Sequence, residues 1–240
     1  MKKNHNIFLV LTLLAIISVT GCYSHFVPTK GNGNVVEQVR NVADFDNVLL
    51  KGSANIYVSQ GDKCEVKIVS DENLMEKIET EVDGKNLEIS TKSMSPTKLD
   101  VYVTMKNVRG FKIMGSGDVT NKTPLNAENL YLNISGSGNF KIDGVTAKGV
   151  KVELYGSGDI SVKGKSYLTK VDIFGSGNVN LEDLEVEDAA VKIAGSGDCN
   201  VNAKAALNAD IYGSGNIHYK GDPKEFKSHK YGSGEIKQIK

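Results

Sequence analysis

A four-residue motif, Gly-Ser-Gly followed by Asp, Asn or Glu, recurs seven times in the second half of this chain. Its copies begin at Gly115, Gly136, Gly156, Gly175, Gly195, Gly213 and Gly232. Successive copies are therefore 21, 20, 19, 20, 18 and 19 residues apart. A nearly fixed period of this length indicates a solenoid, in which each repeat contacts only its neighbours along the axis.

Each repeat carries strand-like alternation and leaves no room for a helix of about ten residues. Residues 150–162, VKVELYGSGDISV, alternate apolar and polar side chains on both sides of the motif. Helical repeats need more than about 30 residues and propeller blades about 40. The sequence therefore predicts an all-β chain folded as a parallel β-helix-like solenoid with coils of about 20 residues.

The first part of the domain is less regular. Residues 44–110 form short alternating segments separated by turn signals, and a helical turn can follow Ser70. A degenerate motif, GSANI, begins at Gly52, which lies 63 residues before Gly115 and thus about three periods away. We therefore expect the repeat to begin near residue 50, with less regular turns between Gly52 and Gly115. We therefore predict one domain over 44–240, with an irregular β part at 44–110 and the repeats at 111–240.

The paired glycines of each motif allow two structural interpretations. The second members of the pairs are Gly117, Gly138, Gly158, Gly177, Gly197, Gly215 and Gly234. If the chain stays extended, both glycines face inward, where the interior is too narrow for a Cβ. Alternatively the chain turns a corner there, with one glycine at positive φ. Both interpretations predict a repeated structural rung rather than a phosphate or metal loop.

The fourth motif position alternates between an acid and an amide until the last copy. It reads Asp118, Asn139, Asp159, Asn178, Asp198, Asn216 and Glu235. Coils stack about 4.8 Å apart, where aligned carboxylates would repel each other. The alternation therefore predicts an in-register ladder. Calcium-binding repeats are shorter and carry an acid in each copy, so we expect no metal and no cofactor.

The residue before each motif faces outward by the same alternation. Tyr155 and Phe174 are then neighbours in adjacent coils, as are Tyr212 and Tyr231. Stacked aromatic side chains stabilise the face of a solenoid. They can equally form a stripe that binds a sugar, a protein or another copy of this chain.

The amino terminus has the parts of a bacterial lipoprotein signal. Two lysines precede an apolar run at 7–19, IFLVLTLLAIISV, which is too short to span a bilayer comfortably. The run leads to VTGC, which resembles a lipobox. We predict a signal peptide at 1–21, an acylated Cys22 that anchors the protein in the outer membrane, and a tether over 22–43. The sequence leaves open whether the domain faces the periplasm or the cell surface.

Several function classes find no support in the composition. The chain has 29 basic and 29 acidic residues and only two arginines, which disfavours nucleic-acid binding. The four histidines match no metal-binding spacing, and no serine has a nucleophile context. Cys64 and Cys199 stand in strand-like alternations, and we expect two buried thiols rather than a disulfide.

The segments FDNVLLKGSANIYVSQGD, VDGKNLEIS and YGSGNIHYKGDPKEFKSHKYGSGEI, together with the motif series, carry a family resemblance. Over about residues 40–239 the chain resembles the putative auto-transporter adhesin, head GIN domain family, which is common in Bacteroidota. The resemblance implies a right-handed β-helix-like domain in exported or lipid-anchored proteins. It transfers no catalytic residue, and a fold alone does not supply a function.

These observations favour a cell-envelope lipoprotein that binds without catalysis. Its expected partners are the membrane, through Cys22, and a carbohydrate or protein ligand. A structural envelope protein that assembles with copies of itself is the alternative, and a carbohydrate-active enzyme is third.

Overall fold

The computed structural model describes residues 27–240, which form a β-solenoid of about six turns with a less regular amino-terminal part. The all-β solenoid prediction is therefore confirmed. The predicted signal peptide and the anchor at Cys22 lie outside the described residues. Over 27–240 we find no helix with the length and apolar character that membrane crossing requires.

Within residues 27–240 the chain forms nineteen strands and one 3₁₀ helix, Glu72–Lys77. The first nine strands are β1 (Thr29–Lys30), β2 (Val35–Arg40), β3 (Asn47–Gly52), β4 (Asn55–Gln60), β5 (Glu65–Asp71), β6 (Ile78–Asp83), β7 (Asn86–Thr91), β8 (Met94–Ser95) and β9 (Leu99–Met105). The others are β10 (Gly110–Gly115), β11 (Asp118–Asn121), β12 (Leu125–Gly136), β13 (Asn139–Gly156), β14 (Ile160–Ile173), β15 (Val179–Ile193), β16 (Cys199–Gly213), β17 (Ile217–Lys220), β18 (Glu225–Gly232) and β19 (Ile236–Gln238).

The coils stack through parallel, in-register pairing, which places chemically similar side chains above one another. Val152 pairs with Leu132 on one side and Val171 on the other, and all three are buried. The same holds for Leu154 between Ile134 and Ile173. Continuous apolar rows of this kind fill the solenoid interior, and burying each such side chain stabilises the fold by about 1.5–3 kcal/mol.

The early GSANI copy belongs to the stack, but not in chain order. Gly52 pairs directly with Gly115, and Asn55 pairs directly with Asp118. Residues 61–109 therefore do not form turns between these two coils, contrary to our expectation. They contribute β7 and β9, which pair with the outer edges of β3 and β4. An uncovered solenoid end exposes unpaired strand edges, and this excursion covers one of them.

The predicted tether over 22–43 is wrong in its second half, because the chain joins the fold from Thr29 onward. β1 pairs with β8, and β2 runs antiparallel to β5. No sustained alternation marks β2 in the sequence, since its side chains are mostly exposed. Main-chain pairing holds most of the strand, and the Arg40 guanidinium adds a hydrogen bond to the carbonyl oxygen of Met75 at 2.8 Å.

The two ends of the solenoid differ. At the amino-terminal end, β5 pairs antiparallel with β9 and β2 covers β5. At the other end, β18 pairs only with β16 and β19 only with β17 among the described strands. Every residue of β18 is exposed. The carboxyl-terminal coil therefore leaves a strand edge without a partner.

Candidate functional site

The glycine pairs lie where each coil crosses the next. A Cβ on Gly156 would collide with the carbonyl oxygen of Gly136, and a Cβ on Gly177 with that of Gly158. Gly156 also has a φ of +157°, which side chains rarely adopt. The space that is lacking is along the solenoid axis, between coils, rather than across the interior. This geometry supports a structural role for the glycines, which stays a prediction.

The acid and amide side chains of the motif form a hydrogen-bonded ladder. Asn178 Nδ2 donates to Asp159 Oδ1 at 3.0 Å, and the amide N–H of Asp198 donates to Asn178 Oδ1 at 3.1 Å. The ladder continues past the explicit repeats, because Asn55 Nδ2 donates to Asp100 Oδ1 at 3.0 Å. These last two residues were missed in the sequence, since their coils are out of chain order.

Neither cysteine nor metal chemistry defines a site in the described part of the chain. Cys64 and Cys199 are both free thiols, but only Cys199 is buried, so the expectation of two buried thiols is wrong for Cys64. Burial raises the pKa of the Cys199 thiol well above its usual range, which makes it unreactive. Over residues 27–240 no group of three or more His, Cys, Asp or Glu could hold a metal ion.

The aromatic residues before the motif form two stacked pairs on the outer surface. The rings of Tyr155 and Phe174 lie 4.9 Å apart with an interplanar angle of 4°, and those of Tyr212 and Tyr231 lie 5.4 Å apart at 12°. Ala194 separates the two pairs, so the stripe is interrupted. Tyr155 remains 45% exposed and Phe174 41%, although each is already stacked on the other.

Carboxylates lie beside the first aromatic pair on the same sheet face. Outward positions alternate along a strand, so Glu153 neighbours Tyr155 and Asp172 neighbours Phe174. Lys151 Nζ lies 2.6 Å from Glu153 Oε1, and Tyr131 donates its hydroxyl to Glu153 Oε2 at 2.6 Å. The hydrogen bonds from Lys151 and Tyr131 lower the pKa of Glu153 despite partial burial. We call these two acids and the two rings the aromatic face.

A groove of about 1030 Å³ adjoins the aromatic face and was not predicted. In each coil, a return segment of variable sequence leads from the strand after one motif to the strand before the next. The groove lies where these return segments meet the strands that precede the motif, and it crosses the coils from Asn47 to Ala190. Its floor includes Leu130, Val150 and Leu168. The return segments share no sequence pattern from one coil to the next, which is why the repeat did not predict the groove. We call this surface the lateral groove.

Solved structures similar to this chain include proteins from Bacteroides and Parabacteroides species. A putative adhesin from Bacteroides fragilis is 26% identical with a TM-score of 0.84, covering 88% of this chain and 99% of its own. A putative lipid binding protein from Parabacteroides distasonis is 30% identical with a TM-score of 0.76, at the same coverage. A putative adhesin from the same species is 25% identical with a TM-score of 0.73, again covering 88% and 99%. No curated protein matches this chain.

The sequence itself also matches a family model. The match extends over residues 44–223 and therefore includes the irregular β part and all but the last of the seven motif copies. The chain belongs to the family described as putative auto-transporter adhesin, head GIN domain.

Proposed function

We propose that this protein is a non-catalytic cell-envelope adhesin that binds a carbohydrate or protein ligand on the aromatic face. The observation that carries the proposal is the exposed, stacked and nearly parallel pair of Tyr155 and Phe174 beside Glu153 and Asp172. Ligand sites combine apolar and aromatic surface with a few fixed polar groups, and this face provides both. The backbone beneath it is a continuous stack of paired strands, so the rings are held in place before a ligand arrives.

The charge state of the face supports binding without catalysis. A general acid that works near neutral pH needs a carboxyl group with a raised pKa. Lys151 and Tyr131 lower the pKa of Glu153 instead. Asp172 is similarly paired with Lys170 at 3.0 Å. The Glu153 carboxylate is therefore suited to accept hydrogen bonds from a ligand rather than to transfer protons.

Removal of both rings tests the proposal. The full-length protein in detergent is applied to an array of oligosaccharides and envelope proteins, beside the double variant Tyr155→Ala, Phe174→Ala. We expect the double variant to lose binding by at least about tenfold, since each buried aromatic contributes well over 1 kcal/mol. Tyr167→Ala removes a more exposed and unstacked ring and serves as the control. Unchanged binding by the double variant would exclude the aromatic face as the ligand site.

Anchoring by a lipid at Cys22 is the second part of the proposal. The residues VTGC at 19–22 support it, and they lie outside the described residues. Several acyl chains hold a protein stably on a bilayer, each buried methylene contributing about 0.8 kcal/mol. Cys22→Ala should therefore move the protein from the membrane fraction to the soluble fraction of the envelope. Continued membrane fractionation of the variant would contradict the anchor.

Self-assembly is the second candidate, and the unpaired edge of β18 is the observation that favours it. Phe226 extends the apolar row above Leu207. The next two inward positions, however, carry Ser228 and Lys230 above the buried Ala209 and Ile211. Polar side chains at the end of an apolar row protect a solenoid end from further stacking. The mass of the protein in solution distinguishes the two candidates, and we expect a monomer.

Lipid is a competing ligand class, because one similar structure bears the name of a lipid binding protein. The apolar floor of the lateral groove is the surface that would accept an acyl chain.

A further inference from the structure

We propose that the lateral groove is a second binding site, distinct from the aromatic face, for a linear oligosaccharide without net charge. The inference rests on the proposed function only in assuming that carbohydrate is the ligand class.

The groove has the shape of a site for a chain. Asn47, Gly110, Tyr131, Lys151, Lys170 and Ala190 occupy one register position in six successive coils. Five intervals of about 4.8 Å give a length of about 24 Å along the solenoid axis. A ligand in this groove therefore runs across the strands and contacts each coil in turn.

Part of the groove lining is apolar. It includes Val108, Leu130, Val150 and Ala189, which are themselves nearly buried, and Thr169 interrupts the row between Val150 and Ala189. Leu168 also lines the groove and is 52% exposed, so it presents most of the apolar surface that a ligand could contact. Exposed apolar surface inside a polar rim is typical of a ligand site.

The cations along the groove are already neutralised by acids of this chain. Arg109 Nε lies 3.6 Å from Asp46 Oδ2. Lys151 and Lys170 are paired with Glu153 and Asp172 on the aromatic face, at 2.6 and 3.0 Å. An anionic ligand would have to compete with these partners, two of which are shielded from solvent by their neighbours.

Uncharged hydrogen-bonding groups and one carboxylate remain available. The side-chain amides of Asn126 and Asn129 have no hydrogen-bond partner in the described part of the chain. Asp188 lines the groove and has no ion pair within 4.0 Å among those residues. Amides both donate and accept, and a carboxylate accepts twice, which suits the hydroxyl groups of a sugar.

These features together point to a neutral glycan. The free carboxylate of Asp188 repels an acidic polymer. A bare acyl chain would cover Asn126, Asn129 and Asp188 without pairing them, which is unfavourable. Asn129, Leu168 and Asp188 lie in one register row across successive coils. A sugar chain along this row can place the apolar face of a ring on Leu168 and its hydroxyl groups against the amide and the carboxylate.

Titration of the full-length protein in detergent tests the site. The probes are cellohexaose, mannohexaose and xylohexaose, with hexagalacturonic acid as the acidic glycan and oleate as the lipid. We expect saturable binding of a neutral hexasaccharide that changes little between low and high salt, because no net charge is neutralised. Asp188→Ala and Leu168→Ala should each weaken this binding by about tenfold.

Tyr167→Ala is the matched control, since Tyr167 is exposed beside Leu168 but does not line the groove, and it should bind as the wild type does. Preference for hexagalacturonic acid, tighter binding of oleate, or binding of none of the neutral probes would overturn the inference. Loss of binding in Tyr155→Ala, Phe174→Ala with full binding in both groove variants would overturn the groove and leave the proposed function standing. Loss of binding in both groove variants with full binding in the double variant Tyr155→Ala, Phe174→Ala supports the groove and counts against the aromatic face.

Discussion

The glycine pairs occupy the points of closest approach between coils, where backbone meets backbone. Ser157 N–H and Ser176 N–H each donate to the first glycine of the coil before, at 3.0 and 2.9 Å. Any side chain at the glycine positions would push the coils apart and lengthen these bonds. The repeated motif is therefore explained by stacking, and the residues available for binding are the ones outside it.

Gly177→Ala tests this explanation at one position. The added Cβ would meet the carbonyl oxygen of Gly158, which belongs to backbone held on both sides and cannot move freely. We expect a loss of about 3 kcal/mol in the free energy of unfolding, measured by urea denaturation. Ser176→Ala alters an exposed side chain of the same motif and should change it by less than about 0.5 kcal/mol. Equal stabilities of the two variants would refute the stacking explanation.

At the scale of elements, the amino-terminal cap depends on one buried carboxylate. Asp71, at the end of β5, accepts hydrogen bonds at 2.7 Å from the amide of Gly33 and from both the amide and the hydroxyl of Thr97. These bonds join the segment before β2 to the segment after β8. Burial raises the pKa of Asp71, but its hydrogen bonds outweigh that effect, and the pKa lies below its ordinary value.

A pH titration measures this contribution. Because the folded-state pKa of Asp71 is lowered, its stabilisation is complete above the unfolded value of 3.8 and is lost as the pH falls through the folded value. Protection of β1 and β2 against hydrogen exchange, relative to the intrinsic exchange rate at each pH, should therefore fall below about pH 4, before the repeats open. Asp71→Asn should show faster exchange there at neutral pH and a flatter pH dependence. Equal exchange in wild type and variant would contradict this role.

The sequence was sufficient to predict the solenoid, because a period of about 20 residues with apolar alternation restricts the fold strongly. The outward stacking of Tyr155 on Phe174 followed from the same register. The position of the Gly52 coil was not predictable. Gly52 lies 63 residues before Gly115, which fits a coil three turns away, whereas the two glycines in fact pair directly. β2 was missed because its pairing is through the backbone, and the lateral groove because its variable returns share no pattern.

At the scale of the whole molecule, the solenoid is a continuous stack that is covered at one end and has a polar open edge at the other. Its interior is apolar along its length, and its glycines set the spacing between coils. The side chains that remain free to bind lie on the aromatic face and in the adjoining lateral groove. Their carboxylates are largely paired with lysines, which favours recognition of a ligand over its chemical conversion.

The mass of the glycan that the protein retains tests whether it binds its ligand without cleaving it. The full-length protein is incubated with a neutral hexasaccharide, separated from free ligand, and the glycan it retains is measured by mass spectrometry. We expect a retained hexasaccharide of unchanged mass, with less retained by the double variant Tyr155→Ala, Phe174→Ala and by Leu168→Ala than by Tyr167→Ala. Shorter fragments in the mixture, or a hexasaccharide found only in the free fraction, would contradict this expectation.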